Sequence, residues 1–223
     1  MEAVVFDLDQ TLVDTLRRFH SLINVALALR GFRPIPWRAF RRMYSKDVLE
    51  GALPRGVSAE VWEDFRRWYC SFSHPMDGPI PGARRALESA REAGLARVVT
   101  TGRGCPCSEV WAELERYGLA DLVDEVYTAS ERPDGEWHAW SREWMLRRVA
   151  EDLGVEPEEM LFVCDYWVDV ESARRVGVPA VAVLTGLEPE ERLRRFGALE
   201  VIEGIWEFPL VLERILRGGG RGP

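Results

Sequence analysis

The stretch AVVFDLDQT, residues 3–11, joins a short apolar run to two aspartates that stand one residue apart. A valine-rich apolar run bounded by polar residues is typical of a buried β-strand. Because positions i and i+2 of an extended chain lie on the same side, Asp7 and Asp9 direct two carboxylates at one small volume. Like charges this close repel each other unless a cation or a shared proton lies between them. The stretch therefore predicts a strand that ends at a cation-binding site.

The composition limits the classes of protein to which the chain belongs. Its 223 residues are 47% hydrophobic and 30% charged, as in a globular protein that can bury a full core. The net charge of −8 argues against binding to nucleic acid or to an anionic membrane, because both require basic surface. No apolar run approaches membrane-spanning length, and the amino terminus lacks the pattern of a signal peptide. Four cysteines in so long a chain do not indicate a disulfide scaffold. We therefore expect a cytoplasmic protein, either a monomer or a homodimer.

Short apolar runs alternate with longer amphipathic stretches along most of the chain. Continuous apolarity within a run indicates a strand covered on both faces, as in a parallel sheet. The pattern predicts an α/β fold, a Rossmann-like three-layer α/β/α core with a mostly parallel sheet. Such sheets bind ligands beyond the carboxyl ends of their strands. The predicted strands are 3–8, 95–101, 124–129, 160–165 and 179–185, with a weaker sixth at 199–203, and the predicted helices are 82–94, 108–118, 139–153, 168–176 and 206–217.

Residues 14–79 break this alternation and contain no convincing strand. Within them, TLRRFHSLINVALALRG (15–31) and AEVWEDFRRWYCSF (59–72) have the spacing of amphipathic helices. The Pro-rich segment at 74–82 then leads back to the α/β pattern, as a linker does. We predict a helical domain at 14–79 inserted into a discontinuous core of residues 1–13 and 80–217, followed by a disordered tail at 218–223.

A second acidic cluster occurs in FVCDYWVD, residues 162–169. Asp165 ends a predicted strand, and Asp169 follows four positions later, where one helical turn brings the two to the same side. Alone, this pattern is more typical of a strand end followed by a helix cap than of a metal site. Together with the first strand, however, it concentrates four carboxylates at one sheet edge. A hard divalent cation with oxygen ligands, and Mg²⁺ in particular, is the chemistry that such a cluster suits.

A third strand is followed by polar and small residues in VVTTGRG, residues 98–104. Thr100 and Thr101 offer hydroxyls, and the glycines allow backbone N–H groups to approach a ligand closely. Such groups can hold an anionic oxygen. The motif is weak by itself, since most stretches of this kind are turns, but its place after the first strand of the resumed α/β pattern favours an anion site.

The segments FDLDQT, VVTT and CDYWVD, in this order, resemble motifs one, two and four of the haloacid dehalogenase superfamily. The flanking residues 79–101 and 171–186 also resemble that family, so the likeness spans almost the whole chain. The layout is similar to that of phosphoglycolate-phosphatase-like members, whose small helical cap lies between motifs one and two. The resemblance implies that residues 14–79 are such a cap.

The resemblance also implies a mechanism. Asp7 would be the nucleophile that forms an aspartyl-phosphate, and Asp9 the general acid and then the general base. Thr100 would bind a phosphoryl oxygen, with Thr101 as the alternative if the register slips by one. Mg²⁺ would be held by the Asp7 carboxylate, the Asp9 backbone carbonyl and Asp165, with Asp169 in support.

Asp9 indicates the class of reaction, because an alkoxide leaving group needs a proton and a halide does not. We therefore predict a Mg²⁺-dependent phosphatase that acts on a small phosphorylated metabolite. The alternatives are a phosphomutase of the β-phosphoglucomutase type and a non-catalytic metabolite-binding protein on the same fold. A phosphonate-cleaving enzyme, which would use Lys46 to form a Schiff base, is a weaker alternative.

The chain departs from the family pattern at motif three, which is usually a lysine. Its one lysine, Lys46, lies outside that region, so an arginine must take the role or the role is absent. Arg132 precedes a proline, as the family's lysine does, but stands several residues too far from Asp165. Arg142 has the better spacing and lacks the proline. We favour Arg132 as the phosphate-binding cation.

Two cysteines, Cys105 and Cys107, follow motif two in the sequence CPC. They could bind a metal or form a redox pair. Because no second pair of closely spaced cysteines exists in the chain, a structural zinc site is not favoured. We expect these thiols to line a loop near the site without a role in it.

Overall fold

The computed structural model describes residues 1–132 and 141–218. Within them, six parallel strands form one sheet in the order β5-β4-β1-β6-β7-β8. The strands are β1 (Ala3–Asp7), β4 (Ala96–Thr101), β5 (Glu125–Thr128), β6 (Met160–Cys164), β7 (Ala180–Val183) and β8 (Glu200–Ile202). The predicted α/β class and the parallel sheet are confirmed.

The two faces of the central strand explain why its sequence is continuously apolar. Val4 and Phe6 of β1 pack into one hydrophobic cluster, and Ala3 and Val5 pack into another on the opposite face. All four side chains are fully buried. The helices that cover the sheet are α5 (Ala83–Glu92), α6 (Cys107–Arg116), α7 (Glu143–Leu153), α8 (Trp167–Val176), α9 (Glu190–Phe196) and α10 (Phe208–Gly218).

The stretch from 14 to 79, which we call the helical insertion, has a hydrophobic cluster of its own. Its helices are α1 (Leu16–Ala28), α2 (Trp37–Tyr44), α3 (Leu49–Ala52) and α4 (Ser58–Tyr69). Where the chain leaves and re-enters the sheet domain, β2 (Val13–Asp14) and β3 (Gly78–Pro79) form a short antiparallel pair. This pair and α9 were not predicted from the sequence, because two-residue strands and a seven-residue charged helix carry little periodic signal.

Two predicted segments extend beyond the described residues. The helix predicted at 139–153 begins at Glu143 in the structure, and residues 139 and 140 lie outside the described part. Gly218, predicted to start the tail, is the last residue of α10, and residues 219–223 are likewise outside it. No helix within the described part of the chain has both the length and the apolar character needed to cross a membrane.

The register of the sheet places the ends of three strands side by side. Asp7, the last residue of β1, is paired with Thr100 of β4. On the other side of β1, Phe6 is paired with Val163 of β6, and Asp165 follows two residues later. The polar residues that end these strands therefore meet at the carboxyl edge of the sheet, where α/β proteins bind ligands.

Candidate active site

Three buried carboxylates meet at this edge. One oxygen atom from each of Asp7, Asp165 and Asp169 lies within 4.8 Å of the other two. Asp7 ends β1, Asp165 follows β6, and Asp169 lies in the first turn of α8. The structure therefore brings together three of the four aspartates that the sequence predicts. The fourth, Asp9, contributes its side chain to a different group of residues.

Burial and mutual repulsion make these carboxylates hard to ionise in the absence of a cation. Burial raises the pKa of Asp7 to about 8, although Arg142 opposes the shift. Burial also raises the pKa of Asp169 to about 6, again against the effect of Arg142. The pKa of Asp165 is raised well above its usual range by burial and by the neighbouring Asp7 and Asp169. When all three carboxylates are ionised, the cluster therefore carries more negative charge than its surroundings compensate.

Arg142 is the cation that contacts this cluster. Its Nη2 donates a hydrogen bond to Asp7 Oδ1 at 3.0 Å and lies 3.6 Å from Asp169 Oδ2. Gly102 leaves the room for it, since a Cβ at that position would stand 2.7 Å from Arg142 Nη1. The sequence argument favoured Arg132, which lies at the end of a 3₁₀ turn just before the segment outside the described residues. The structure places Arg142, the alternative with the better spacing, against the predicted nucleophile.

Several buried polar atoms around the cluster have no hydrogen-bond partner among residues 1–132 and 141–218. These atoms are Asp169 Oδ1, Thr100 Oγ1 and Thr11 Oγ1. A buried polar group without a partner costs free energy, so such groups point to a ligand that completes them. Three carboxylates in one place are oxygen donors of the kind that hard divalent cations prefer. The residues present therefore fit a divalent cation with an anionic oxygen beside it.

The two threonines at the end of β4 have different surroundings. The hydroxyl of Thr101 donates to Asp9 Oδ2 at 3.4 Å and accepts from the backbone N–H of Arg103. The hydroxyl of Thr100 is buried without a partner, on the residue paired with Asp7. Of the two, Thr100 is the one whose hydroxyl remains available for a ligand.

Asp9 is held by donors from three parts of the chain. Its Oδ1 accepts hydrogen bonds from the hydroxyls of Thr15 at 2.5 Å and Tyr69 at 3.0 Å. The guanidinium of Arg103 donates to both oxygens, from Nη2 to Oδ1 at 2.7 Å and from Nε to Oδ2 at 2.8 Å. Burial opposes ionisation of Asp9, but Arg103 outweighs it and holds the pKa well below its usual range. We call Thr15, Tyr69, Thr101 and Arg103 the Asp9 clamp.

A chain of buried ion pairs extends the clamp into the protein. Arg103 Nη1 lies 2.6 Å from Glu113 Oε2, and Arg18 Nη2 lies 2.8 Å from Glu113 Oε1. Arg18 in turn donates from Nε to Asp77 Oδ2 at 2.7 Å. We call Asp9, Arg103, Glu113, Arg18 and Asp77 the charge chain. It joins the helical insertion, which supplies Arg18 and Asp77, to the sheet domain.

The sequence argument missed the charge chain, although a signal for it was present. Arg18 lies on the apolar face of α1, four residues before Leu22, and Glu113 lies on that of α6, three residues after Val110. A charged residue on the apolar face of a helix is either exposed because the local structure is distorted or buried beside a partner of opposite charge. Two such residues of opposite sign, one on each helix, were therefore candidates for a buried pair.

The helical insertion also contacts the sheet domain close to the carboxylates. Its Asp47 accepts hydrogen bonds from the Tyr166 hydroxyl at 2.9 Å and from the Trp167 ring N–H at 3.0 Å. These two residues directly follow Asp165. The insertion therefore covers both the carboxylate cluster and the Asp9 clamp.

Gln10, where the family commonly has glycine, has a left-handed backbone conformation with φ of +62°. Glycine adopts this conformation more readily than any other residue, which accounts for the usual preference. The Gln10 carboxamide lies 3.2 Å from the hydroxyl of Thr15, so this side chain also supports the clamp.

The cysteines are arranged differently from the expectation of incidental thiols. Cys105 forms a disulfide with Cys70, with 6.1 Å between the two Cα atoms. Cys107 is a free thiol that donates to the backbone carbonyl of Val126 at 3.3 Å, and Cys164 is free and buried. The expectation for Cys105 was wrong, because spacing along the chain does not reveal a partner 35 residues away.

Comparison with known proteins identifies relatives along almost the whole chain. The family model described as haloacid dehalogenase-like hydrolase matches residues 4–183. The chain is 28% identical to an N-acetylmuramic acid 6-phosphate phosphatase of Pseudomonas aeruginosa, over 97% of this chain and 96% of the relative. It is 30% identical to a phosphoglycolate phosphatase of Rhodospirillum rubrum, over 91% and 87% of the two chains.

A solved structure has the same fold at low sequence identity. A haloacid dehalogenase-like hydrolase of Streptococcus pneumoniae superposes with a TM-score of 0.78 at 17% identity, covering 97% of this chain and 98% of the other. The family model and the two phosphatase relatives confirm the resemblance drawn from three short motifs.

Proposed function

The chain belongs to the haloacid dehalogenase-like hydrolases, and from that premise we propose that it is a Mg²⁺-dependent phosphatase of a small phosphorylated metabolite. One observation carries the proposal. Three buried carboxylates and one guanidinium surround the end of β1, and a hydroxyl without a partner lies beside them. Its enzyme class, a phosphoric monoester hydrolase, is that of its phosphatase relatives.

In this proposal Asp7 attacks phosphorus and forms an aspartyl-phosphate. Arg142, which contacts Asp7, takes the role of the family's motif-three lysine and binds the oxygens of the transferring group. Thr100 donates its hydroxyl to another of these oxygens. Positioning and charge compensation by such groups are the main contributions to phosphoryl transfer.

Asp9 protonates the leaving oxygen and later takes a proton from the attacking water. In the present arrangement both of its oxygens accept from the clamp, so the carboxylate must leave Arg103 before it can donate a proton. The helical insertion supplies Tyr69 to the clamp, which links this change to movement of the insertion.

The Asp7, Asp165 and Asp169 carboxylates and the Asp9 backbone carbonyl would hold Mg²⁺. When bound, the cation compensates negative charge on the carboxylates and on the transferring group. The partnerless Asp169 Oδ1 and the raised pKa values of the cluster support an ion at this place.

The helical insertion acts as the cap that excludes water and selects the leaving group. It covers the site through Asp47 and Tyr69. The proposed substrate is a phosphoglycolate-like compound or a sugar phosphate, the two kinds of substrate that appear in the names of the phosphatase relatives.

The test is phosphate release from 2-phosphoglycolate, N-acetylmuramic acid 6-phosphate, further sugar phosphates and p-nitrophenyl phosphate. We expect release that requires Mg²⁺, stops on chelation and is lost in Asp7→Asn. Asp152→Asn, which removes an exposed carboxylate paired with Arg148, is the matched control and should retain activity. Folded protein that releases no phosphate from any of these esters would overturn the proposal.

A further inference from the structure

The Cys70–Cys105 disulfide joins two of the three chain segments that hold Asp9. Cys70 directly follows Tyr69, the last residue of α4, and Cys105 stands two residues after Arg103. Tyr69 and Arg103 both donate to Asp9 Oδ1. A covalent bond therefore ties a clamp donor from the helical insertion to a clamp donor from the sheet domain.

The clamp leaves Asp9 no free oxygen. Its Oδ1 accepts from Thr15, Tyr69 and Arg103, and its Oδ2 accepts from Arg103 and Thr101. A carboxylate in a two-point pair with a guanidinium has no proton to give, so this arrangement does not serve a general acid. Because the disulfide holds both ends of the clamp together, separation of Tyr69 from Arg103 requires that this bond be broken or that its loops distort.

We propose that Cys70–Cys105 is a thiol–disulfide exchange site, and that its reduction by a dithiol releases Asp9 to act as a proton donor. The activity part of the proposal rests on the proposed function. The two residues differ in access, since Cys70 is partly exposed and Cys105 is 5% exposed. The incoming thiolate therefore attacks the sulfur of Cys70.

The exchange is balanced in electrons and protons. The first thiolate of the dithiol forms a bond to Cys70 Sγ, the bond between the two cysteine sulfurs breaks, and Cys105 leaves as a thiolate and takes up a proton. The second thiol of the reductant, as a thiolate, then attacks the reductant sulfur that is bonded to Cys70. A disulfide forms within the reductant, and Cys70 leaves as a thiolate and takes up a proton. Two electrons and two protons pass to the protein, and the dithiol becomes a disulfide.

The chemical setting favours a reversible rather than a permanent cross-link. Disulfides in proteins of reducing compartments are commonly transient and redox-sensing, and a cytoplasmic location is our expectation for this chain. The disulfide also links the helical insertion to the sheet domain, and the proposed mechanism requires these two to move relative to each other. A bond that can break and reform would permit this movement.

The experiment compares oxidised and reduced wild-type protein. Thiol titration in denaturant should give two thiols in the oxidised protein, Cys107 and Cys164, and four after treatment with dithiothreitol. For the alkyl ester 2-phosphoglycolate we expect kcat/KM to be about tenfold higher in the reduced form. This parameter covers the steps up to release of the leaving group and not the later hydrolysis of the aspartyl-phosphate, which both esters share. For p-nitrophenyl phosphate, whose leaving group needs no proton, the change should stay below about threefold, because loss of general-acid catalysis affects poor leaving groups most.

Two variants separate the exchange site from other thiol effects. Cys70→Ser should match reduced wild-type protein under both conditions, with no response to dithiothreitol. Cys107→Ser, which removes a thiol outside the disulfide, should keep the full response. If oxidation lowers the activity toward both esters equally, the assignment to Asp9 is overturned. An insertion that is merely rigid would cause such an equal loss. A count of four thiols in protein treated with an excess of oxidised glutathione would overturn the disulfide itself.

Hydrogen–deuterium exchange gives a readout that needs no catalysis. Reduction should speed hydrogen–deuterium exchange in residues 58–72, which carry Tyr69, and in residues 98–106, which carry Thr101 and Arg103. If neither ester is hydrolysed in either state, the proposed function fails, and this measurement decides the exchange site alone. Unchanged exchange in both segments on reduction would overturn the release of the clamp.

Discussion

Two groups of buried charges lie side by side in this protein, and they are balanced in opposite ways. In the carboxylate cluster, Asp7, Asp165 and Asp169 are accompanied by Arg142, and the pKa values of all three carboxylates are raised. In the charge chain, acidic and basic residues alternate, and the pKa values of Asp9 and Glu113 are lowered.

The comparison indicates which group awaits a ligand. In the charge chain each carboxylate faces a guanidinium of the protein, so its residues position one another, although Asp77 Oδ1 has no hydrogen-bond partner among the described residues. The carboxylate cluster places three carboxylates beside Arg142 and so keeps excess negative charge, and Asp169 Oδ1 also has no partner there. An incomplete group costs folding free energy, and a binding or catalytic role accounts for its presence. Four predictions test this contrast, from the largest expected effect to the smallest.

Removal of the cation from the incomplete cluster should have the largest effect. Arg142→Met should lower kcat/KM for phosphate esters about 10³-fold, because one preorganised donor to a transferring group contributes about 10²–10³-fold. Arg142→Lys should recover much of the loss, as lysine is the usual residue of motif three. Steady-state kinetics on 2-phosphoglycolate measure both. Arg148→Met, at an exposed arginine of α7, which begins directly after Arg142, is the control. A greater loss in Arg132→Met would return the role to Arg132.

Breaking the complete charge chain should affect stability. Arg18→Met leaves Glu113 and Asp77 with less compensation in a buried place, and such a break costs about 3–5 kcal/mol. We expect the free energy of unfolding, measured in urea, to fall by about 3 kcal/mol. Arg84→Met, which breaks an exposed pair with Asp121, should leave the free energy of unfolding close to that of the wild type, because exposed ion pairs contribute little. Similar losses in the two variants would refute the distinction between the buried chain and surface pairs.

A change beside the cluster should weaken metal binding without removing a ligand. A Cβ on Gly186 would stand 1.9 Å from Asp165 Oδ2, so Gly186→Ala must displace that carboxylate. Loss of a residue that orients a ligand reduces metal affinity about 10–100-fold. Calorimetric titration with Mg²⁺ measures the change. Gly51→Ala, where a Cβ meets no atom within 4 Å, should bind Mg²⁺ like the wild type, and equal affinity in all three proteins would contradict the prediction.

The smallest effect concerns pH. The pKa of Asp7 is raised from 3.8 to about 8, so the folded metal-free protein binds this proton more tightly than the unfolded chain. The contribution of Asp7 to stability is therefore fully present below about pH 4 and is lost as the pH rises through about 8. Below pH 8, Mg²⁺ must displace the proton of Asp7 in order to bind, whereas above pH 8 this carboxylate is already ionised. We expect the stabilisation by Mg²⁺ to be about 1 kcal/mol greater at pH 8 than at pH 7, since one pKa unit is equivalent to about 1.4 kcal/mol and Asp7 is half protonated at pH 8. Melting curves of the wild type and Asp7→Asn test this, and an equal pH dependence in the variant would exclude Asp7 as its source.

The sequence by itself determined the sheet and the carboxylate cluster. Apolar runs define where strands lie, and the aspartates that end β1 and β6 meet because parallel neighbouring strands end at one edge. Both facts follow from local pattern and one rule of topology. For that reason Asp7, Asp165 and Asp169 were predicted together, and the register of β1 with β4 places Thr100 beside them.

Only the tertiary structure decided which distant residues pair with these. Arg142 reaches Asp7 across 135 positions and Arg18 reaches Glu113 across 95, and Cys70 bonds to Cys105 across 35. None of these partners shares a helix or strand with the other, so no periodicity links them. Their proximity depends on how the helical insertion and the loops pack against the sheet. That packing is set by the whole core rather than by any segment of the sequence.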